Sequence, residues 1–309
     1  MIRMKTDTAV IGTVFVDCKG FAAYRYDPLG RNVGKVKFIH GGVGRNVAEN
    51  LATAGLPVTF VSSVDDNALG HEILQRLNDK GADTRYTESA EAAGMGIWLA
   101  VMDQNGELAS SISQMPDLTI LEKTIDEFGD EIISRTGSVV LELDLNEKIS
   151  GKVLELAKKY SKPVYGITGN MEVVLKNREF LRNMECYICN DVEAGRLFER
   201  DLTAFGAEDM LDVLVKGASR LGVTSMVITM GEKGSVYYDA RAREKGCCPA
   251  LPTDVVDSSG AGDAFFSGTV VGLIHGLTLA EAVEYGTHLA SWTIQVEAPT
   301  CESFPGKNL

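Results

Sequence analysis

The run Asp257-Ser-Ser259-Gly260-Ala261-Gly262-Asp263-Ala-Phe-Phe-Ser-Gly268 sets two glycines and a carboxylate at the start of a long apolar stretch. A strand over Asp254–Val256, a Gly-Ala-Gly turn and then a helix would aim several backbone amides at one place. The helix N-terminus adds its dipole, which makes an anion site. Asp263 falls in the first helical turn, where an acid on its own does no more than complement the dipole. Beside amides that hold a transferring phosphate, the same carboxylate can accept a proton from an attacking hydroxyl. Gly268 and Gly272, four apart on the helix, admit a second backbone or a flat ligand at close range.

A second glycine-rich helix start is Gly41-Gly42-Val-Gly-Arg45-Asn46-Val-Ala-Glu-Asn50. Its plain reading is a tight turn and N-cap, with ligand binding as the alternative. It is not a P-loop, since no Gly-Lys-Ser/Thr follows at the required spacing, and no complete dinucleotide fingerprint occurs. There is no Gly-x-Ser-x-Gly elbow, and His40, His71, His275 and His288 form no metal-like pair. Cys186-Tyr-Ile-Cys189 has the inner spacing of a zinc site. It lies in an apolar run with no suitable histidine after it, so core packing is the expected role of the cysteines.

Composition narrows the function classes. At 309 residues, with 45% hydrophobic and 24% charged residues, the chain is long enough for one α/β domain with a large core. A formal charge of −13 argues against nucleic-acid or anionic-membrane partners, which need basic surface. No stretch approaches a membrane span, and Ala9–Val16 is too short and unflanked to be a leader, so a cytoplasmic protein is expected.

The elements that must hold these motifs alternate. Strand-like runs are expected at Thr8–Val16, Val58–Val64, Ser138–Leu143, Pro163–Ile167, Glu185–Cys189 and Ser225–Thr229. Helices are expected from about Arg45 to Ala54, at Ala68–Lys80, Ile149–Tyr160 and Glu208–Leu221, and twice near the C-terminus. Continuously apolar strands fit a mostly parallel sheet covered on both faces. Two segments, about 17–40 and 94–114, break the alternation. The second reads as a hairpin turning at Asn105-Gly106. Together they suggest a small β-lid that keeps water from a phosphoryl-transfer site.

Taken in order, the two glycine motifs resemble the ribokinase-like (PfkB) family of carbohydrate and nucleoside kinases. Its early signature is a double glycine with Asn four residues on, and its late one is Asp-Thr-Thr-Gly-Ala-Gly-Asp, here with serines at 258 and 259. The resemblance spans nearly the whole chain. It implies an ATP- and Mg²⁺-dependent kinase with a mostly parallel central sheet, helices on both faces and a small β-lid. In this likeness Asp263 is the general base, and the amides of Gly260, Ala261 and Gly262 receive the phosphoryl group. Asp17, Gly42 and Asn46 grip ribose hydroxyls, Arg45 reaches a substrate group or the lid, and Asp144 is a further substrate candidate. Asn190-Asp-Val-Glu193 matches the family's magnesium and phosphate motif, and Thr229-Met-Gly231-Glu-Lys-Gly234 its nucleotide loop. Asp257 and Ser259 mark where some relatives place a monovalent cation such as K⁺.

The run from Gly34 to Ala52, with Arg45-Asn46, is similar to pseudouridine kinases. Phosphorylation of the pseudouridine 5′-hydroxyl is therefore the expected reaction. The alternatives are a sugar kinase for ribose or fructose, and a non-catalytic sensor. Phe15, Gly166-Ile-Thr-Gly-Asn170 and Cys189 depart from the family pattern around the sugar and phosphate sites. A homodimer through exposed lid edges is also expected.

Overall fold

The computed structural model describes residues 7–143, 145–169 and 171–302. The largest layer is a nine-stranded sheet. Its parallel part runs β5 (Ala82–Ala90), β4 (Val58–Asp65), β1 (Thr8–Ile11), β8 (Ser138–Glu142), β9 (Val164–Ile167), β10 (Cys186–Asn190) and β11 (Ser225–Thr229). Two antiparallel strands, β12 (Ser235–Asp239) and β13 (Glu244–Cys248), complete the edge.

Both faces of this sheet are covered, and the period-2 alternation decides which side chain goes where. Ala9, Ile11, Val139 and Leu141 point into one core, with α3 (Leu118–Arg135), α4 (Glu147–Lys159), α5 (Glu172–Lys176), α6 (Asp191–Phe198) and α7 (Ala207–Leu221) over it. Val10, Val140 and Val227 point into the other, beneath α1 (Val43–Thr53), α2 (Ala68–Asp79), α8 (Ala261–Ile274) and α9 (Leu279–Thr293). Each fully buried Leu, Ile or Phe side chain contributes about 1.5–3 kcal/mol. Gly268 and Gly272 serve the contact between α8 and α9. A Cβ on either would stand 2.8 Å from the backbone of Gly286 or Ala282, so the small residues admit a helix rather than a flat ligand.

A separate four-stranded sheet is ordered β3 (Gly34–Gly41), β2 (Phe15–Ala22), β6 (Gly96–Met102), β7 (Leu108–Gln114). The apolar run at 8–16 is therefore two strands in two sheets. Gly12 packs where an added Cβ would lie 2.6 Å from the Gly44 Cα, and the Thr13 amide donates to Glu142 Oε2 at 2.8 Å. Those contacts turn the chain out of the large sheet. No strand forms at Asp254–Val256: Val255 and Val256 are exposed, and the Val256 amide donates to the Ile294 carbonyl instead of a ladder. The amphipathic α3 and strands β5, β12 and β13 carry too few apolar residues in a row to stand out in the sequence.

Candidate active site

In a parallel sheet the crevice forms outside the carboxyl ends of the strands. Here those ends carry Glu142 on β8, Asn190 on β10 and Thr229 on β11, with Asn190 and Thr229 side by side in register. Asp263 arrives from above, in the first turn of α8. Its Oδ2 accepts a hydrogen bond from Asn46 Nδ2 of α1 at 2.7 Å, which joins the two glycine motifs.

The start of α8 has no side-chain cap. Gly260 holds φ at 77°, and a Cβ there would lie 2.0 Å from the Pro299 carbonyl, so only glycine makes this turn. The Ala261 amide bonds the Ser258 carbonyl at 3.2 Å. Among the described residues, no protein group accepts from the amides of Gly260, Gly262 and Asp263. The open anion-binding donors are thus these three, and Ala261 contributes the turn. A cavity of about 610 Å³ lies against them, lined by Ser258, Ala261 and Gly262 on one side and by Thr229, Gly231 and Gly234 on the other.

Burial raises the Asp263 pKa to about 7. The carboxylates of Glu142 and Glu193 push the same way, while the Asn46 bond and the Arg45 charge oppose them. Glu193 and Asn190 form a reciprocal capping box at the start of α6, with both bonds at 2.8 Å. Burial also raises the Glu193 pKa. Among the described residues no three acids, histidines or cysteines cluster as a metal cage. Mg²⁺ commonly takes one or two carboxylates with substrate phosphates and keeps several waters. A single rigid Glu193, near enough to influence Asp263, fits that mode.

Asp17 on β2 packs beside Gly41, where a Cβ would stand 3.0 Å from its Oδ1, and burial raises its pKa. Gly42 adopts φ 96°, and a Cβ there would strike the Thr13 carbonyl at 2.6 Å. Arg45 is buried, its guanidinium committed to Glu49, Asn46 and the carbonyls of His40 and Gly41. Of the two expected roles, substrate contact or lid contact, its donors make the second, ending on the last residues of β3 in the small sheet. Asp144 and Asn170 lie outside the described residues. Cys186 and Cys189 are buried in β10, with thiol pKa values raised by burial.

Two site residues went unmarked in the sequence. Glu142 is buried and accepts from the Thr13 amide and hydroxyl and from the Gly44 amide. An acid ending an otherwise apolar strand was its signal. Lys19 follows Asp17 by two, hence on the same face of β2. It is 9% exposed, with Nζ 3.4 Å from Ser259 Oγ and 3.9 Å from Asp257 Oδ2. Those two side chains fit a lysine, and a free cation between them would face its ammonium.

An acid beside free amides at the carboxyl edge of a parallel sheet is an arrangement suited to phosphoryl transfer onto a hydroxyl. The profile of the pfkB family carbohydrate kinase matches residues 5–303, and the chain belongs to that family. It is 38% identical over 286 residues to the guanosine-inosine kinase of Exiguobacterium acetylicum, covering 93% of each chain. It is 27% identical to the pseudouridine kinase of Escherichia coli (strain K12), covering 96% of this chain and 93% of that one. The structure of Arabidopsis thaliana ribokinase complexed with ribose and ATP superposes with TM-score 0.82 at 23% identity, covering 96% and 95%. The fold is ribokinase-like, and the protein is a nucleoside or sugar kinase.

Proposed function

We propose that this kinase transfers the γ-phosphoryl group of ATP to the 5′-hydroxyl of a ribonucleoside, with guanosine or inosine as acceptor. The observation that carries the chemistry is the Asn46–Asp263 contact at an uncapped helix start facing the 610 Å³ cavity. Asp263 accepts the hydroxyl proton as the oxygen bonds to the γ-phosphorus. The bond to the bridging oxygen breaks, and ADP leaves. Amides of Gly260, Gly262 and Asp263 hold the phosphoryl oxygens as charge shifts among them. Thr229, Gly231 and Gly234 line the nucleotide side, and Asn190 and Glu193 stand at the phosphates. Glu193 would hold Mg²⁺, which would supply charge neutralisation there. Lys19 already brings a positive charge to Asp257 and Ser259, so the reading does not depend on K⁺.

The acceptor assignment rests on the 38% relative, which puts a purine ribonucleoside ahead of pseudouridine. The small sheet, taken as a lid, supports a base-bearing substrate. Trp98 stands beside Asp17 in register on its cleft-facing side and offers a flat apolar surface that free ribose does not need. Initial-rate assays of ADP release should give guanosine or inosine at least about tenfold higher kcat/KM than pseudouridine and than ribose, or ~1.4 kcal/mol. Higher efficiency on pseudouridine would restore that acceptor, and equal efficiency on ribose would end the nucleoside reading.

The opposite face of the lid exposes Val36, Phe38, Leu99 and Ile112. Cross-strand register places Phe38 beside Cys18, Cys18 beside Leu99, and Leu99 beside Ile112. Such a continuous apolar sheet face suits a second copy of the chain. Phe38→Lys should convert a dimer to a monomer in sedimentation, whereas a monomeric wild-type protein would remove this interface.

A further inference from the structure

Every arm of the Arg45 guanidinium is spoken for. Nη1 donates to Glu49 Oε2 at 2.7 Å, Nε to the Gly41 carbonyl at 3.3 Å, and Nη2 to the His40 carbonyl and to Asn46 Oδ1. Glu49 is fully buried and accepts in turn from Arg76, at 2.8 Å from Nε and 2.7 Å from Nη2, and from Thr300 Oγ1 at 2.8 Å. Burial would raise the Glu49 carboxyl, yet the bonds and charges of Arg76 and Arg45 hold its pKa at about 2. Glu49 therefore stays ionised across the working pH range.

A guanidinium has donors and no acceptor, so the Asn46 atom turned toward it has to be the carbonyl oxygen. The other end of the amide, Nδ2, is thereby turned onto Asp263 Oδ2 at 2.7 Å. A flipped amide would set oxygen against oxygen and require a protonated Asp263. We infer that Arg45 is a positioning residue, which locks the Asn46 amide so that its NH₂ group aims Asp263 at the acceptor hydroxyl as a carboxylate. Because the same guanidinium holds the last two residues of β3, the root of the small sheet and the base share one anchor. The inference rests on the proposed base role of Asp263.

The charged and titratable groups around this pair come from several elements. They are Arg45 and Glu49 on α1, Arg76 on α2, His40 on β3, Glu142 on β8 and Glu193 on α6. Asp17 and Lys19 on β2 and Asp257 before α8 complete the shell. Burial, then the Arg45 charge, depresses the His40 pKa, against the pull of Glu72 on α2, whose Oε1 lies 3.7 Å from His40 Nε2.

The test is the pH dependence of kcat and KM in Arg45→Met. A second variant, Arg45→Met with Glu49→Gln, also removes the buried charge that would be left with Arg76 as its one arginine partner, in case the single change folds poorly. Melting curves give the folded fraction of each. With the lock gone, the plateau kcat should fall at least tenfold per folded molecule. The acid limb of kcat/KM should also move alkaline by about one pH unit, while the nucleoside KM changes less than threefold. Arg45→Lys keeps the charge without the fork. It should restore the limb more than the plateau. A purely structural Arg45 lowers the melting temperature and leaves both limb and plateau in place, and a substrate contact raises KM alone. Either result overturns the inference. Near wild-type turnover by Asp263→Asn would overturn the base assignment and the inference with it. An inactive Asp263→Asn beside an unmoved Arg45→Met overturns the inference alone.

Discussion

The starts of α1 and α8 look alike in sequence, each a glycine pair running into an apolar helix, yet their amides end differently. At α1 the Gly44 amide donates to Glu142 Oε2 at 3.2 Å and the Arg45 amide to the Thr13 carbonyl at 3.1 Å. The protein consumes its own anion site there, with a buried carboxylate as the anion. At α8 the amides of Gly260, Gly262 and Asp263 keep no partner among the described residues, and the helix carries no side-chain cap. Unpaired backbone donors cost about 1–3 kcal/mol each when shielded from water. A fold keeps them open where a ligand is to use them. A glycine-rich helix start is thus a phosphate site only when nothing in the fold has already filled it.

The sharpest way to break this contrast is Asp263→Asn. Turnover should fall roughly 10²–10⁴-fold while ATP binding, measured by calorimetry, is unchanged. The sign of the stability effect follows from the pKa. A carboxyl at about 7 in the folded protein and near its ordinary value when unfolded binds protons more tightly when folded. Its contribution to stability is therefore present below the unfolded pKa and lost as pH rises towards 7. Urea unfolding should show Asp263→Asn gaining stability over wild type at pH 8 and not at pH 4. Equal differences at both pH values would contradict the raised pKa.

Next in size is Glu193→Gln. Neutralising phosphate charge is a demand of the transition state, so kcat should drop about tenfold or more and half-saturation by Mg²⁺ should rise. The KM for nucleoside should hardly move. An unaltered magnesium titration would leave Glu193 as a helix cap only.

The smallest effect is expected from Glu142→Gln, which empties the α1 site of its charge. Burial raises the Glu142 pKa in spite of its bonds to Thr13 and Gly44, so in denaturant unfolding the variant should fare better against wild type at pH 8 than at pH 4. The same change removes one of the carboxylates that raise Asp263, so the acid limb of kcat/KM should move to lower pH, opposite in sign to Arg45→Met. A shift in the same direction as Arg45→Met would mean that geometry, not charge, links Glu142 to the base.

Much of this was legible before any fold was known. Motifs local in the chain carried their own meaning in the turn at Gly260–Asp263 and in the strand at Ser225–Thr229, which matches β11 at both ends, whereas the Asn190–Glu193 pair was legible only through the family resemblance. Backbone geometry over a few residues is encoded by the residues themselves, through glycine at positive φ and acids at helix starts. Apolar runs likewise marked most of the parallel strands, because burial on both faces leaves no polar positions in them.

Contacts across the chain were decided only by tertiary structure. Glu142 stands 98 residues from Gly44, and Asn46 stands 217 from Asp263. Nothing local says that the first pair closes one helix start while the second arms the other. The division of the 8–16 run between two sheets also depended on Gly44 and Glu142 arriving beside Gly12 and Thr13. The choice between a substrate and a lid contact for Arg45 was open in the sequence for the same reason. Its type and neighbours suited a ligand, but Glu49, Asn46 and the end of β3 had already taken its donors. Sequence determined which groups could hold phosphate and move a proton, and packing determined which of them were left free to do so.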